Sequence, residues 1–186
     1  MKKNKYSDRI IDCIQDSKSR ILLPESDDVR VKKAIPILES LGIEIISCSN
    51  YEHKIEFYCE YLKSKSFTSN WPVENIYEYL KNPLHFSMAM LACDDADGLI
   101  AGASTPSAEV IRAAIRVIGI KIQSNIVSSV FFMISPNCKN VFTFGDCAVV
   151  PEPDANQLVE IAYEASKFHE LITGTNPKVA FLSFSS

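Results

Sequence analysis

The chain has 186 residues, 47% of them hydrophobic, with 19 basic and 23 acidic side chains and a formal net charge of −4. That length and apolar content suffice for a buried core, and they exclude a disordered tail. The acidic balance and scattered lysines leave no basic stripe for nucleic acid. No apolar run reaches the roughly 18 to 20 residues that cross a bilayer, and "MKKNKYSDR" leads into no signal-type apolar core, so a cytoplasmic protein is expected.

Residues 20–47, "RILLPESDDVRVKKAIPILESLGIEIIS", read as strand, helix, strand. Val31, Ala34, Ile35, Leu38 and Leu41 recur at helical spacing, Ser26 or Asp27 is the expected cap, and Gly42 closes the end. Pro36 within the pattern predicts a kink or a shorter helix. A strand, helix and strand joined this tightly imply a right-handed crossover in a parallel sheet. Further on, "SFTSNWPVEN" marks a turn between helices near 52–64 and 73–81, to which little chemistry can be assigned. Another helix leads into "ADGLIAGA", where Leu99 and Ile100 mark a short buried strand.

"GASTPSAEVIRAAIRV" follows at once. Thr105 suits an N-cap and Pro106 a first helical residue, with Gly102, Ala103 and Ser104 in the preceding turn. Unpaired N–H groups, hydroxyls and the positive end of the helix dipole converge there, which outlines an anion site. Arg112 and Arg116, four residues apart, share one helix face, and an anion would offset their mutual repulsion. Small residues before a Thr-Pro start also begin ordinary helices, and an arginine pair also decorates ordinary solvated faces. Neither G-x-x-x-x-G-K-[ST] nor G-x-G-x-x-G is present, which argues against nucleotide hydrolysis and hydride transfer.

"NIVSSVFFMIS" and "NVFTFGDCAVV" are β-rich runs broken at Pro136, Asn137 and Cys138, predicting adjacent antiparallel strands. Ser128 and Ser129 interrupt the first run; they could face a ligand or bond locally. Asp146 could orient a cation, accept a proton or cap a turn. Asp154 and Gln157 form a capping box for a helix whose apolar face is Leu158, Ile161, Ala162, Ala165, Phe168 and Ile172, ended by Gly174. "KVAFLSFSS" then reads as a buried strand. Six cysteines without a C-x-x-C pair are expected to be free thiols, three isolated histidines argue no metal site, and no G-x-S-x-G elbow supports covalent catalysis.

Five blocks in order, "ILLPESDDVRVKKA", "ADGLIAGASTPSAEVIRAAIRVI", "VSSVFFM", "FGDCAVVPEPDANQLVEIAYEAS" and "PKVAFLSFSS", resemble the amino-terminal portion of the phosphate acetyltransferase and phosphate butyryltransferase family. The resemblance implies an α/β fold, three-layer α/β/α with a mainly parallel sheet, plus the beginning of a second α/β domain. The expected division is 1–122 and 123–186, the first lacking a closing helix and the second truncated. It implies interconversion of acetyl-CoA plus phosphate with acetyl phosphate plus coenzyme A, without metal, bound cofactor or acyl-enzyme; coenzyme A and acetyl-CoA are substrates. The alternative is a truncated, inactive remnant or ligand-binding module. Ser107, Ala108, Glu109 and Arg112 match the family's T-A-[DE]-x-x-R segment, and Arg112 is the position implicated in coenzyme A or phosphate binding. Ser128 and Ser129 match strand serines that face the cleft, and Asp146 matches the aspartate of F-[GA]-D-C-A. The family's catalytic arginine and aspartate are expected beyond residue 186. Expected partners are small-molecule substrates, no nucleic acid or membrane, and a second copy or a complementing carboxy-terminal chain.

Overall fold

The computed structural model describes residues 5–15, 18–122, 124–137 and 140–182. Two compact units divide them: Ile11–Gly119 forms one, and the described parts of Met1–Ile10 and Ile120–Ser186 form the other. Helix α1, Lys5–Gln15, runs through the boundary.

In the first unit three parallel strands, β1 (Arg20–Leu22), β2 (Glu44–Ile46) and β3 (Gly98–Leu99), lie in the order β2-β1-β3. Leu22 pairs with Ile46 on one side and Leu99 on the other, and it is fully buried because the middle strand has a neighbour at each edge. The mixed α/β class and the parallel sheet expected from the sequence are therefore present. Helix α2, Val29–Ser40, joins β1 to β2. Its cap is Asp28, whose carboxylate accepts from the Arg30 N–H, rather than Ser26 or Asp27. Those two residues belong to the turn closed by the Asp28 N–H on the Glu25 carbonyl, so the first extended residue before the helix is Asp28. The helix runs twelve residues with Pro36 inside it, so the proline does not shorten it.

Between β2 and β3 the chain makes a 3-10 turn (Cys48–Lys54) that runs into α3 (Ile55–Lys63), then α4 (Val73–Leu80) and α5 (Pro83–Ala92). Asn82 caps α5 and Pro83 supplies its first residue, the position where a missing N–H costs nothing. Leu84, Phe86, Met88, Ala89 and Met90 are all buried, so α5 is a core helix rather than an amphipathic one. With Tyr58, Leu62, Ile76, Leu80 and Val117 it forms the core against the sheet. Asp95, which accepts from Lys54 at 2.5 Å and Tyr58 at 2.7 Å, ties α3 to the turn that starts β3.

The second unit contains an antiparallel hairpin, β4 (Val130–Ile134) and β5 (Val141–Gly145), and helix α7 (Ala155–Thr173). The expected capping box closes the start of α7, and Gly174 at φ 72 ends it in the left-handed region. Phe132 meets the rings of Phe168 and His169, and Thr143 is hydrogen-bonded to His169 at 3.0 Å, so one hairpin face packs on α7. The opposite face carries Phe131, Met133, Phe142 and Phe144, each at least half exposed. The strand expected from residue 178 onward is corrected over the described part: Lys178–Leu182 pairs with no strand, and Phe181 and Leu182 are exposed. Residues 183–186 of that expected strand lie outside the described residues, as does Cys138 of the hairpin break.

Candidate functional site

From β1 the chain passes to β2 on one side, and it later returns to lay β3 on the other. Loops following the carboxyl ends of such adjacent strands border the crevice where open α/β sheets bind ligands. Here they are Leu23–Asp28 and Ile100–Pro106. Gly102 takes φ 104, a conformation that residues with a Cβ rarely adopt, and turns the second loop back towards the first.

The Glu25 carboxylate lies in that turn. One oxygen accepts from the Gly102 and Ala103 N–H groups at 2.8 and 2.7 Å; the other accepts from Ser104 and Thr105 N–H at 2.8 and 2.6 Å, and from the Ser104 hydroxyl at 3.0 Å. Successive backbone N–H groups converging on one point make an anion nest. The sequence locates this nest, but an internal carboxylate fills it. Desolvation pushes the Glu25 carboxyl up, yet the bonds from Ser104, Thr105 and Ala103 outweigh it and hold the group well below the usual carboxylate range. Arg30 pairs with Asp28 at 2.7 Å and also donates to the Ala103 carbonyl, which ties the two loops a second time.

This clamp moves the start of α6, Ser107–Val117. The expected Thr105 cap is corrected: its N–H is engaged by Glu25, Pro106 stands at ψ 140 outside the helix, and the first helical residue is Ser107. Pro106 caps without a side-chain bond, its carbonyl accepting from Glu109 and Val110 at 2.9 and 3.2 Å. Ser107 is exposed at the first turn. Arg112, also exposed, makes no ion pair among the described residues. One turn on, the Arg116 guanidinium stands 6.0 Å from the Phe67 ring centre.

The other three candidate residues belong to the second unit. Asp146 accepts from the Ser129 N–H and hydroxyl at 2.6 and 2.7 Å through one oxygen, and from the Val149 and Val150 N–H groups at 2.9 and 2.7 Å through the other. The Ser129 hydroxyl in turn accepts from the Cys147 N–H at 2.8 Å. Desolvation raises the Asp146 carboxyl, but bonds from Val150, Ser129 and Val149 more than offset it and set its pKa at about 2. All four of its acceptor directions are occupied, so the arrangement anchors the segment before β4 to the loop after β5. Ser128, half-buried, stands beside this anchor with no hydrogen bond among the described residues.

No group of three or more His, Cys, Asp or Glu among the described residues is placed to hold a metal ion. Cys13, Cys48, Cys59, Cys93 and Cys147 are free thiols, and burial pushes Cys48, Cys59 and Cys93 up, which disfavours their thiolates. No described helix is long and apolar enough to cross a membrane. Two features carried no signal in the sequence reading. Glu25 sits in "LPESDD", where only Ser26 and Asp27 stand out as candidate caps, and the rings of Phe67, Trp71 and Tyr79 converge from a segment to which little chemistry is assigned. A cavity of about 670 Å³, bounded by β5, α7 and residues 176–182, lies within the second unit.

Residues 37–186 match the family described as phosphate acetyl/butaryl transferase. The phosphate acetyltransferase of Acetivibrio thermocellus is 32% identical over 97% of this chain and 63% of its own length. That of Salmonella typhimurium is 36% identical over 89% of this chain and 22% of its own. A phosphotransacetylase from Streptococcus pyogenes has the same fold, with a TM-score of 0.84 at 24% identity, over 100% of this chain and 63% of that one. One from Staphylococcus aureus gives 0.77 at 29% identity, over 98% and 63%. The chain thus spans less than two thirds of the length of these relatives. The ordered blocks, the parallel sheet and these likenesses agree: the chain belongs to the phosphate acetyl/butaryl transferase family.

Proposed function

We propose that the chain is an acyltransferase of phosphate acetyltransferase type, interconverting acetyl-CoA plus phosphate with acetyl phosphate plus coenzyme A. The observation that carries the reading is Arg112, an exposed cation with no ion pair among the described residues, on the helix that leaves the crevice of a sheet shared with this family. Such an arginine binds phosphate through a charge-assisted fork of hydrogen bonds. In the proposed reaction the coenzyme A thiolate attacks the acetyl carbonyl carbon, the new S–C bond replaces the C–O bond to phosphate, and phosphate leaves with the bonding pair. Positioning and charge stabilisation are the protein's contribution.

Each unit has further proposed substrate or coenzyme A contacts: Ser107 in the first, and Ser128 and Ser129 in the second, where Asp146 acts through Ser129, and their geometry ranks them. Ser129 donates to Asp146 and accepts from Cys147, so its hydroxyl is committed, whereas Ser128 is uncommitted among the described residues and is the better ligand contact. We also propose a domain division at 122/123, supported by the unit boundary at Gly119 and Ile120, and a cytoplasmic location with acetyl-CoA and phosphate as small-molecule partners.

The activity is tested by incubating the protein with acetyl-CoA and following free thiol. Release that requires added phosphate, and that falls at least tenfold at sub-saturating acetyl-CoA in Arg112→Ala, is expected. No release above a heat-inactivated control would contradict the assignment.

A further inference from the structure

Ahead of β4 in the second unit, residues 124–129 form no helix or strand, yet both ends of the segment are fastened by carboxylates. At the far end Asp146 takes the Ser129 N–H and hydroxyl. At the near end Glu160, half-buried on α7, uses its Oε1 to accept from the Ser124 hydroxyl and from the Asn125 N–H at 3.2 Å. The Ser124 proton is shared with the Ile126 carbonyl 3.0 Å away, and the Ser124 N–H closes a turn on the Lys121 carbonyl at 2.9 Å. One turn along α7, Glu164 meets Lys121 at 3.5 Å, so the approach to the segment also follows the helix.

Both fastenings refer to that one helix. Glu160 precedes Ile161, which is buried. A Cβ added to Gly145 would stand 3.3 Å from Ile161 Cγ2 and 3.3 Å from Ala165 Cβ, so the end of β5 lies directly on α7, and the next residue is Asp146. Between the fastened ends stand only Ile126, Val127 and Ser128. A short span held at both ends has few conformations left, so α7 sets where Ser128 stands. A contact misplaced by about 1 Å costs roughly 100-fold in rate, and a hydroxyl on irregular chain depends on such support.

We propose that Glu160 is a positioning residue for Ser128: it holds Ser124 and Asn125 against α7, and with Asp146 it fixes the intervening chain so that the Ser128 hydroxyl meets substrate. This rests on the acyl-transfer reading above, in which Ser128 is a ligand contact. Glu160 acts through the segment rather than on the substrate. Because both of its bonds converge on one oxygen, the carbonyl of a glutamine can receive them, whereas an alanine methyl cannot.

Phosphate-dependent thiol release from acetyl-CoA is measured for the intact protein, Ser128→Ala, Glu160→Ala, Glu160→Gln and the double variant Glu160→Ala/Ser128→Ala. Ser128→Ala is expected to raise the KM for acetyl-CoA or for phosphate about five- to tenfold with little change in kcat, as loss of one binding hydrogen bond does. Glu160→Ala is expected to raise the same KM at unchanged kcat, Glu160→Gln to retain most of the parent value, and the double variant to match Ser128→Ala alone. Ser124→Ala, a change outside the helix, is expected to act in the same direction as Glu160→Ala. The Asn125 amide is expected to exchange faster in Glu160→Ala while the α7 amides keep their protection. Losses that add in the double variant, a Glu160→Gln as impaired as Glu160→Ala, or a Glu160→Ala that lowers kcat alone would overturn the positioning role and leave the acyl-transfer reading intact. No phosphate-dependent release by the unaltered protein would overturn both.

Discussion

Glu25→Ala is expected to lower the thermal unfolding midpoint and weaken coenzyme A binding together. The side chain closes five hydrogen bonds to Gly102, Ala103, Ser104 and Thr105, and every donor belongs to the loop that launches α6. Gly102 and Ser104 are exposed, so water replaces part of what is lost. Bonds to a charged acceptor contribute about 1.5–3 kcal/mol each when protected, and the partial exposure reduces the sum to roughly 2–3 kcal/mol for the whole clamp. Glu25→Gln is expected to rescue little, because its amide nitrogen would face two N–H donors. Its pH dependence has a definite sign. The folded carboxyl is depressed below its ordinary 4.5, so the contribution is complete above 4.5 and is lost as pH falls below it towards the folded value. Calorimetric unfolding of the parent and both variants across that range checks this; equal midpoints at neutral pH would refute the clamp.

Asp146→Asn should loosen the second unit at one defined place. The amide keeps one acceptor, so either the Ser129 pair or the Val149 and Val150 pair loses its partner and meets a donor instead. A loss of about 2 kcal/mol follows for a partly buried group of this kind. The sharper readout is hydrogen exchange: Val149 and Val150 amides are expected to lose protection while the α7 amides keep theirs. The folded pKa of about 2 lies below the unfolded 3.8, so this aspartate stabilises fully above 3.8 and its contribution disappears between 3.8 and about 2. The variant should lack that acid-dependent loss. Unchanged protection of Val149 and Val150 would contradict the anchoring role.

What could be read from the sequence was what local chemistry decides. The β1-α2-β2 unit follows from apolar spacing, and the start and end of α7 follow from Asp154, Gln157 and Gly174, all of which act within a few residues. The nest of free N–H groups at Gly102–Thr105 was also legible. Its occupant was not, because Glu25 lies 77 to 80 residues away and no periodicity links the two. The same distant contact shifted the start of α6 by one residue. Lys178–Leu182 has strand composition, but a strand exists only where a neighbour completes its ladder, which composition does not encode. Phe67, Trp71 and Tyr79 follow no single helical period, since a turn separates the first two from α4, and their convergence is a tertiary fact.

Arg112 joins the loop clamp, the helix and the proposed chemistry, and calorimetric titration of coenzyme A into the parent and Arg112→Ala tests that link most directly. Saturable binding to the parent, weakened about 10- to 100-fold in a variant with an unchanged unfolding midpoint, is the expected result. Equal affinity in the two proteins, or no binding to the parent, would contradict it.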